Sequence, residues 1–324
     1  MGLWMVLLAL GLRLAEAAVP VSVSADAGQF IRLAGECLRP GSVTEDTASQ
    51  EVRRPERPPI AETPAAPEEP EPVPLDFTGQ EADAIAIGGS AQSAVDKASL
   101  LLAPLEFQGD GSPQVLIIHT HTSEAYTPAP EQDYVETAAF RTLDANYSVV
   151  RVGEELARTL EAHGVGVIHD TTVNDDPVYE GAYERSFDCI EAQLAAHPSI
   201  DIVLDIHRDA LEDADGNALP RRVQVAGEDC AQLMLVVGTD EGGLYHPNWR
   251  ENLSFALKLQ ALLNRDYPGL CRDLSLRRER FNQQFTPCSL LVEVGAAGNT
   301  LDEALRAARC LADAIAQITA ASEN

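Results

Sequence analysis

Between residues 113 and 318, short apolar runs alternate with amphipathic stretches, and no other feature constrains the fold as much. VLIIH (115–119), VGVIHD (165–170), DIVLDIH (201–207), RRVQVAG (221–227), LMLVVGT (233–239) and SLLVEVG (289–295) read as strands rich in β-branched and aliphatic residues. Between them, Val149, Val152, Leu156 and Leu160 recur on one helical face, with Gly164 placed as a stop. Phe187, Ile190 and Leu194 mark a second helix, and residues 251–267 a third. The last helix spans 300–318 and opens on a capping box, Thr300 with Glu303. Strands interleaved with helices predict an α/β fold, a mostly parallel sheet with helices on both faces.

The first hundred residues read differently. MGLWMVLLALGLRLAEAAVP holds an apolar run of about ten residues, short of the roughly 20 a bilayer-spanning helix needs. With Ala15-Glu16-Ala17 behind it, the run suits a signal peptide or a membrane anchor, so residues 1–25 imply export, either secreted or tethered. Residues 26–112 form a linker and transition segment. Its stretch RRPERPPIAETPAAPEEPEPVPLD has too few large apolar residues to offset chain entropy, and its prolines make it a semi-stiff spacer. The expected catalytic unit is then 113–324. Six cysteines are scattered without a C-x-x-C spacing, which argues against a thiolate metal site and favours buried thiols.

Three of the strands end in residues suited to chemistry. VLIIH ends at His119, DIVLDIH at His207, and SLLVEVG carries Glu293. In open α/β sheets the ligand crevice lies beyond the carboxyl ends of the strands, so these residues should converge. His169, ending VGVIH, is a weaker candidate of the same kind. Histidine and carboxylate are zinc donors, and His121 and Glu124 lie just past the first strand. Two histidines and one glutamate could hold Zn2+ with a position open for water, leaving another glutamate for proton transfer. G-x-S-x-G, G-x-x-x-x-G-K-[ST] and G-x-G-x-x-G are absent, which removes the signatures of serine hydrolases and phosphate-cradling loops. Lys and Arg total 23 against 51 Asp and Glu, a net charge of −28 that excludes nucleic acid as a partner.

Taken in order, LIIHTHTSEAYTP, DIVLDIHRDA, HPNW, RFNQ and LVEVGAAGNTLDEA resemble the stage II sporulation protein P family, peptidoglycan hydrolases of endospore-forming bacteria. That family is similar in turn to zinc-dependent N-acetylmuramoyl-L-alanine amidases, so the resemblance implies an amidase-like fold and a Zn2+ cofactor. It implies His119 and His207 as metal ligands and Glu293 as the catalytic glutamate. The middle ligand falls to Glu124 or to His121, because ANYSVV (145–150) carries no glutamate where the amidases have theirs. Arg208 is implied beside the reacting carbonyl or a stem-peptide carboxylate, and Asn248, Trp249, Arg280, Asn282 and Gln283 along a substrate groove. The implied reaction is cleavage of the N-acetylmuramoyl-L-alanine amide, and also of peptide cross-links, for septal wall degradation during engulfment. Implied partners are peptidoglycan, a lytic transglycosylase, a membrane scaffold, and the membrane through the N-terminus. A catalytically silent wall-binding scaffold and a zinc deacetylase or peptidase acting on another amide are the competing readings.

Overall fold

Val115–Ile118 (β2) is buried at all four positions, yet its residues serve two different cores. Val115 and Ile117 face one layer of helices, whereas Leu116 and Ile118 join a smaller cluster on the opposite face. This period of two, set by the pleat, governs everything that follows. The computed structural model describes residues 75–105, 107, 113–130, 132 and 134–322. The expected export segment, most of the Pro/Glu spacer and Cys37 lie outside the described residues.

The elements follow in chain order. α1 (Gly79–Ala84), β1 (Ile87–Gly89) and α2 (Lys97–Leu102) precede β2. α3 (Val149–Ala162), β3 (Val167–His169), α4 (Ala182–Ala196) and β4 (Ile202–Asp209) come next. β5 (Arg222–Val225) and β6 (Glu228–Ala231) form a separate hairpin. β7 (Leu233–Gly238), α5 (Trp249–Asp266), β8 (Leu274–Arg277), β9 (Cys288–Ala296) and α6 (Leu301–Ser322) complete the fold. Seven strands make one sheet in the order β1-β8-β7-β9-β4-β2-β3. Every neighbouring pair is parallel except β7 with β9. The protein is therefore α/β with a mostly parallel sheet, divided by one antiparallel junction into two blocks of opposite direction. The carboxyl ends of β2, β4 and β9 share one edge, and those of β7 and β8 share the other.

Helices cover both faces unevenly. α3, α5 and α6 supply the large core, into which Val149, Val152, Leu156 and Leu160 are buried as their spacing predicts. On the opposite face α4 covers Leu116, Ile118 and Val203 with Ile190. The capping box of α6 forms: the Thr300 amide donates to Glu303 Oε2 at 3.2 Å, and the Glu303 amide to Thr300 Oγ1 at 3.4 Å.

The fold extends N-terminal of the boundary expected at residue 113. β1 is an edge strand on β8, and α2 is held against α5 by Lys258, which is buried and donates to the carbonyls of Leu101 at 2.6 Å and Leu100 at 3.1 Å. Those carbonyls end a helix, where the backbone dipole favours a cation. Burial still pulls the Lys258 amine down to about 8. Among the described residues no helix is long and apolar enough to cross a membrane.

Candidate metal centre

Past β2 the chain makes a tight turn, and the turn sorts its polar residues. The Glu124 amide donates to the His121 carbonyl at 3.1 Å, which brings two side chains three residues apart to the same side. The His119 carbonyl is gripped by Thr122 Oγ1 at 2.9 Å and Asn174 Nδ2 at 3.0 Å. β4 supplies the third member. One donor atom from each of His121, Glu124 and His207 lies within 4.8 Å of the others. Glu124 sits between the rings, its Oε1 at 3.4 Å from His121 Nδ1 and its Oε2 at 3.4 Å from His207 Nδ1. Glu124 and His207 are buried, and His121 is partly exposed, so the cluster opens to solvent on one side.

The charges around it are arranged to keep Glu124 ionised. Burial alone would raise its pKa, but His121, His207 and Arg208 hold the carboxyl well below the usual range. The Arg208 amide also donates to Glu124 Oε2 at 3.1 Å. For His207, burial works against the cation, and the Asp205 and Glu124 carboxylates outweigh it, raising the ring well above its ordinary value. Asp205 Oδ1 stands 2.9 Å from His207 Nε2, off the line of an ideal hydrogen bond, so the contact acts chiefly as charge pairing. Asp205 is itself fixed by the Thr120 amide at 2.8 Å and the Thr120 hydroxyl at 2.6 Å. A carboxylate behind a ligating imidazole orients the ring and raises its basicity. Two imidazoles and a carboxylate, with a second carboxylate behind one ring, match the donor chemistry of a zinc site. The residues present fit that ion.

Glu293 stands beside His207. The two are direct partners in the ladder between β4 and β9, so their side chains leave the same face of the sheet. Its Oε2 is buried and accepts no hydrogen bond among the described residues. Burial pushes the Glu293 carboxyl up to about 8 against the pull of His207, and the Glu124 and Asp209 carboxylates add to the rise. Near neutral pH this group can both hold and release a proton.

His119 does not reach the cluster, and the ladder explains why. Ile118 pairs with Asp205, so His119 falls level with Ile206 and faces the α3 side with it, while Asp205, His207 and Glu293 face the α4 side. Both ring nitrogens of His119 are already occupied, Nδ1 by the Ile206 carbonyl at 3.0 Å and Nε2 by His169 Nε2 at 2.9 Å. The expectation that His119 is a ligand, with Glu124 and His121 as alternatives, gives way to a cluster that contains His121 and Glu124 together. Arg208 is 6% exposed and spends its guanidinium on the carbonyls of Ala125 at 3.0 Å and Phe140 at 2.9 Å, so it is not turned toward a reacting carbonyl.

The expected groove residues also divide. Trp249 is buried in the α5 core. Asn248 Nδ2 donates to the Gln284 carbonyl at 3.2 Å, and Gln283 bonds the backbone of Gly238 and Val236 through both ends of its amide. These three are consumed by structure at the opposite sheet edge. Arg280 donates to the Tyr245 carbonyl at 3.1 Å. Asn282 alone approaches the centre, donating at 2.7 Å to the carbonyl of Tyr183, whose ring meets His121 edge-on at 5.6 Å.

Other residues at the centre went unrecognised in the sequence. Asp205 was legible in principle, since it lies two residues before His207 and so on the same face. Arg141 and Tyr179 come from loops with no periodic signal. Arg141 Nη2 lies 3.5 Å from Glu124 Oε1, and the Tyr179 ring stacks on His121 at 4.7 Å.

The family model for Stage II sporulation protein P matches residues 44–316. Stage II sporulation protein P of Bacillus subtilis (strain 168) is 28% identical over 219 residues, which cover 63% of this chain and 50% of the relative. The chain thus spans about half the length of the curated relative it matches. Among solved structures, an N-acetylmuramyl-L-alanine amidase from Mycobacterium abscessus is 14% identical over 65% of this chain and 99% of its own, with a TM-score of 0.39. The CwlD amidase from Clostridioides difficile, solved in complex with the GerS lipoprotein, is 13% identical over 64% of this chain and 96% of its own, with a TM-score of 0.37.

Proposed function

The chain belongs to the stage II sporulation protein P family, and from that premise we propose that it is a zinc-dependent peptidoglycan hydrolase. The bond it cleaves is the amide between N-acetylmuramic acid and L-alanine, with peptide cross-links as a second target, and the wall it degrades is that of the sporulating cell. His121, Glu124 and His207 hold the metal. The observation that carries this reading is the convergence of those three donors beside Glu293.

Zinc held by these residues would supply a Lewis acid for the scissile carbonyl and would acidify water. The rest is done by the protein. Glu124 bridges the two rings and keeps its charge, while Asp205 holds His207 from behind. Glu293, poised near neutrality and with a bare buried oxygen, takes the proton of the attacking water and hands it to the leaving amine.

Digestion of purified wall sacculi tests this. The zinc-loaded protein should release free stem peptides, identified by mass spectrometry, and a chelator should stop it. Glu293→Gln should keep its zinc and lose turnover by about 10²–10⁴-fold. Chelator-insensitive release would remove the metal from the reaction, and no release at all would favour the silent scaffold.

A further inference from the structure

The two arginines near the centre are used differently. Arg208 is buried and committed to backbone carbonyls. Arg141 keeps 20% of its side chain exposed; one edge of its guanidinium is hydrogen-bonded, and the other makes only a longer ion-pair contact with Glu124. Nη1 donates to Asp175 Oδ2 at 2.7 Å and to Ser123 Oγ at 3.0 Å, which uses both of its hydrogens. Asp175 is fixed in turn by the Ser123 amide at 3.0 Å and the Ser123 hydroxyl at 2.7 Å. Nη2 and Nε donate no hydrogen bond among the described residues, and Nη2 stands 3.5 Å from Glu124 Oε1, at the rim of the cluster. The guanidinium carbon lies 4.8 Å from the ring of Tyr179, which is 49% exposed and stacks on His121.

This is a fork with one tine pair anchored and the other left without a hydrogen bond at the edge of the cluster, beside an aromatic platform. A guanidinium so oriented suits a carboxylate, which it can meet with two parallel N–H donors. A chain of net charge −28 repels anions in general, so an anionic substrate needs a local cation where it docks. We propose that Arg141 and Tyr179 form a carboxylate-recognising subsite beside the metal centre, selecting muramoyl peptides with a free carboxylate close to the scissile amide. The inference rests on the function proposed above and names the substrate class that the site prefers. Asp175 and Ser123 are positioning residues that aim the fork, and Tyr179 carries the flat or apolar part of the peptide.

The test is binding, so that it does not depend on turnover. The full chain carrying Glu293→Gln, zinc-loaded, is titrated calorimetrically with N-acetylmuramoyl-L-alanyl-D-glutamate and with its diamide, in which both glutamyl carboxylates are amidated and no free carboxylate remains. The free acid should bind about tenfold more tightly than the diamide, the discrimination of one charge-assisted pair. Adding Arg141→Gln should bring that ratio close to one, and Arg141→Lys should restore part of it. Tyr179→Ala should weaken both ligands alike and leave the ratio in place. A ratio near one before Arg141 is changed overturns the subsite, as does a ratio that survives Arg141→Gln, or no binding of either ligand. If the ratio holds while the unsubstituted protein releases no stem peptide from sacculi, the subsite stands and the hydrolase reading falls.

Discussion

On the α3 face of the sheet, His119 and His169 meet nitrogen to nitrogen; on the α4 face, at the same sheet end, His121 and His207 meet across Glu124. Both groups are rich in histidine and both are largely buried, yet only one gathers three donor atoms that could hold a metal ion. The α3 pair is closed. The Ile206 carbonyl can only accept, so His119 carries its hydrogen on Nδ1. Burial, reinforced by the neighbouring His169, holds its pKa down to about 3, so the ring is neutral and its bare Nε2 must accept from His169. Both ring nitrogens of His119 and its carbonyl are spent within the protein. On the α4 face the two imidazoles each stand 3.4 Å from a carboxylate in the middle, contacts longer than the 2.9–3.0 Å of the α3 pair. A histidine is a ligand candidate only when a nitrogen is left over, and that depends on the face of the sheet, not on where the strand ends.

The comparison breaks most visibly on metal content. His207→Ala, Glu124→Ala or His121→Ala should each reduce bound zinc from about one equivalent to near none, because three protein donors are the minimum for such a site. His119→Ala should keep its zinc while losing stability, since it leaves the Ile206 carbonyl and His169 without their partner. Elemental analysis of the purified variants reads both. Zinc lost from His119→Ala and kept in His121→Ala would reverse the assignment of the two faces.

Much of this was legible beforehand, and the gaps have physical causes. The long helices and the β4 and β9 strands announce themselves because their patterns run for several periods. β1 and β8 do not, because three or four residues carry no period, and with them went the antiparallel junction and the early start of the fold. His207 and Glu293 could be placed at one edge from strand polarity alone. His119 could not be assigned a face, because that requires the register of β2 on β4, and register is set by the whole sheet. Shifting it by one residue would turn His119 to the α4 face. Arg141 and Tyr179 lie in loops whose conformation follows from tertiary partners such as Asp175, and Phe140, at φ +52, holds the loop in a backbone state that residue types alone do not announce.

A subtler change sharpens the α4 side. Asp205→Asn preserves size and keeps an acceptor near His207, but removes the charge that holds the ring. Loss of such a supporting carboxylate weakens metal binding by about 10- to 100-fold without deleting a ligand. Competition with a chromogenic chelator should place Asp205→Asn between the parent protein and His207→Ala. Affinity equal to the parent would mean that Thr120 and the ladder position His207 without help from the charge.

The smallest effect belongs to the closed pair and should leave the metal untouched. Gly153 sits on α3 against both rings, where an added Cβ would stand 2.6 Å from His169 Nε2 and 2.7 Å from His119 Nε2. Its φ is not in the left-handed region, so space and not backbone freedom demands glycine here. Gly153→Ala gains roughly 1 kcal/mol of helix propensity and costs about 1–3 kcal/mol of overpacking, for a net loss of up to about 2 kcal/mol. A lowered midpoint in urea, with an unchanged zinc content, is the expected result. If Gly153→Ala instead raised the midpoint, the ring pair could slide away from α3 at little cost, and the contrast between a rigid closed face and a receptive open one would lose its physical basis.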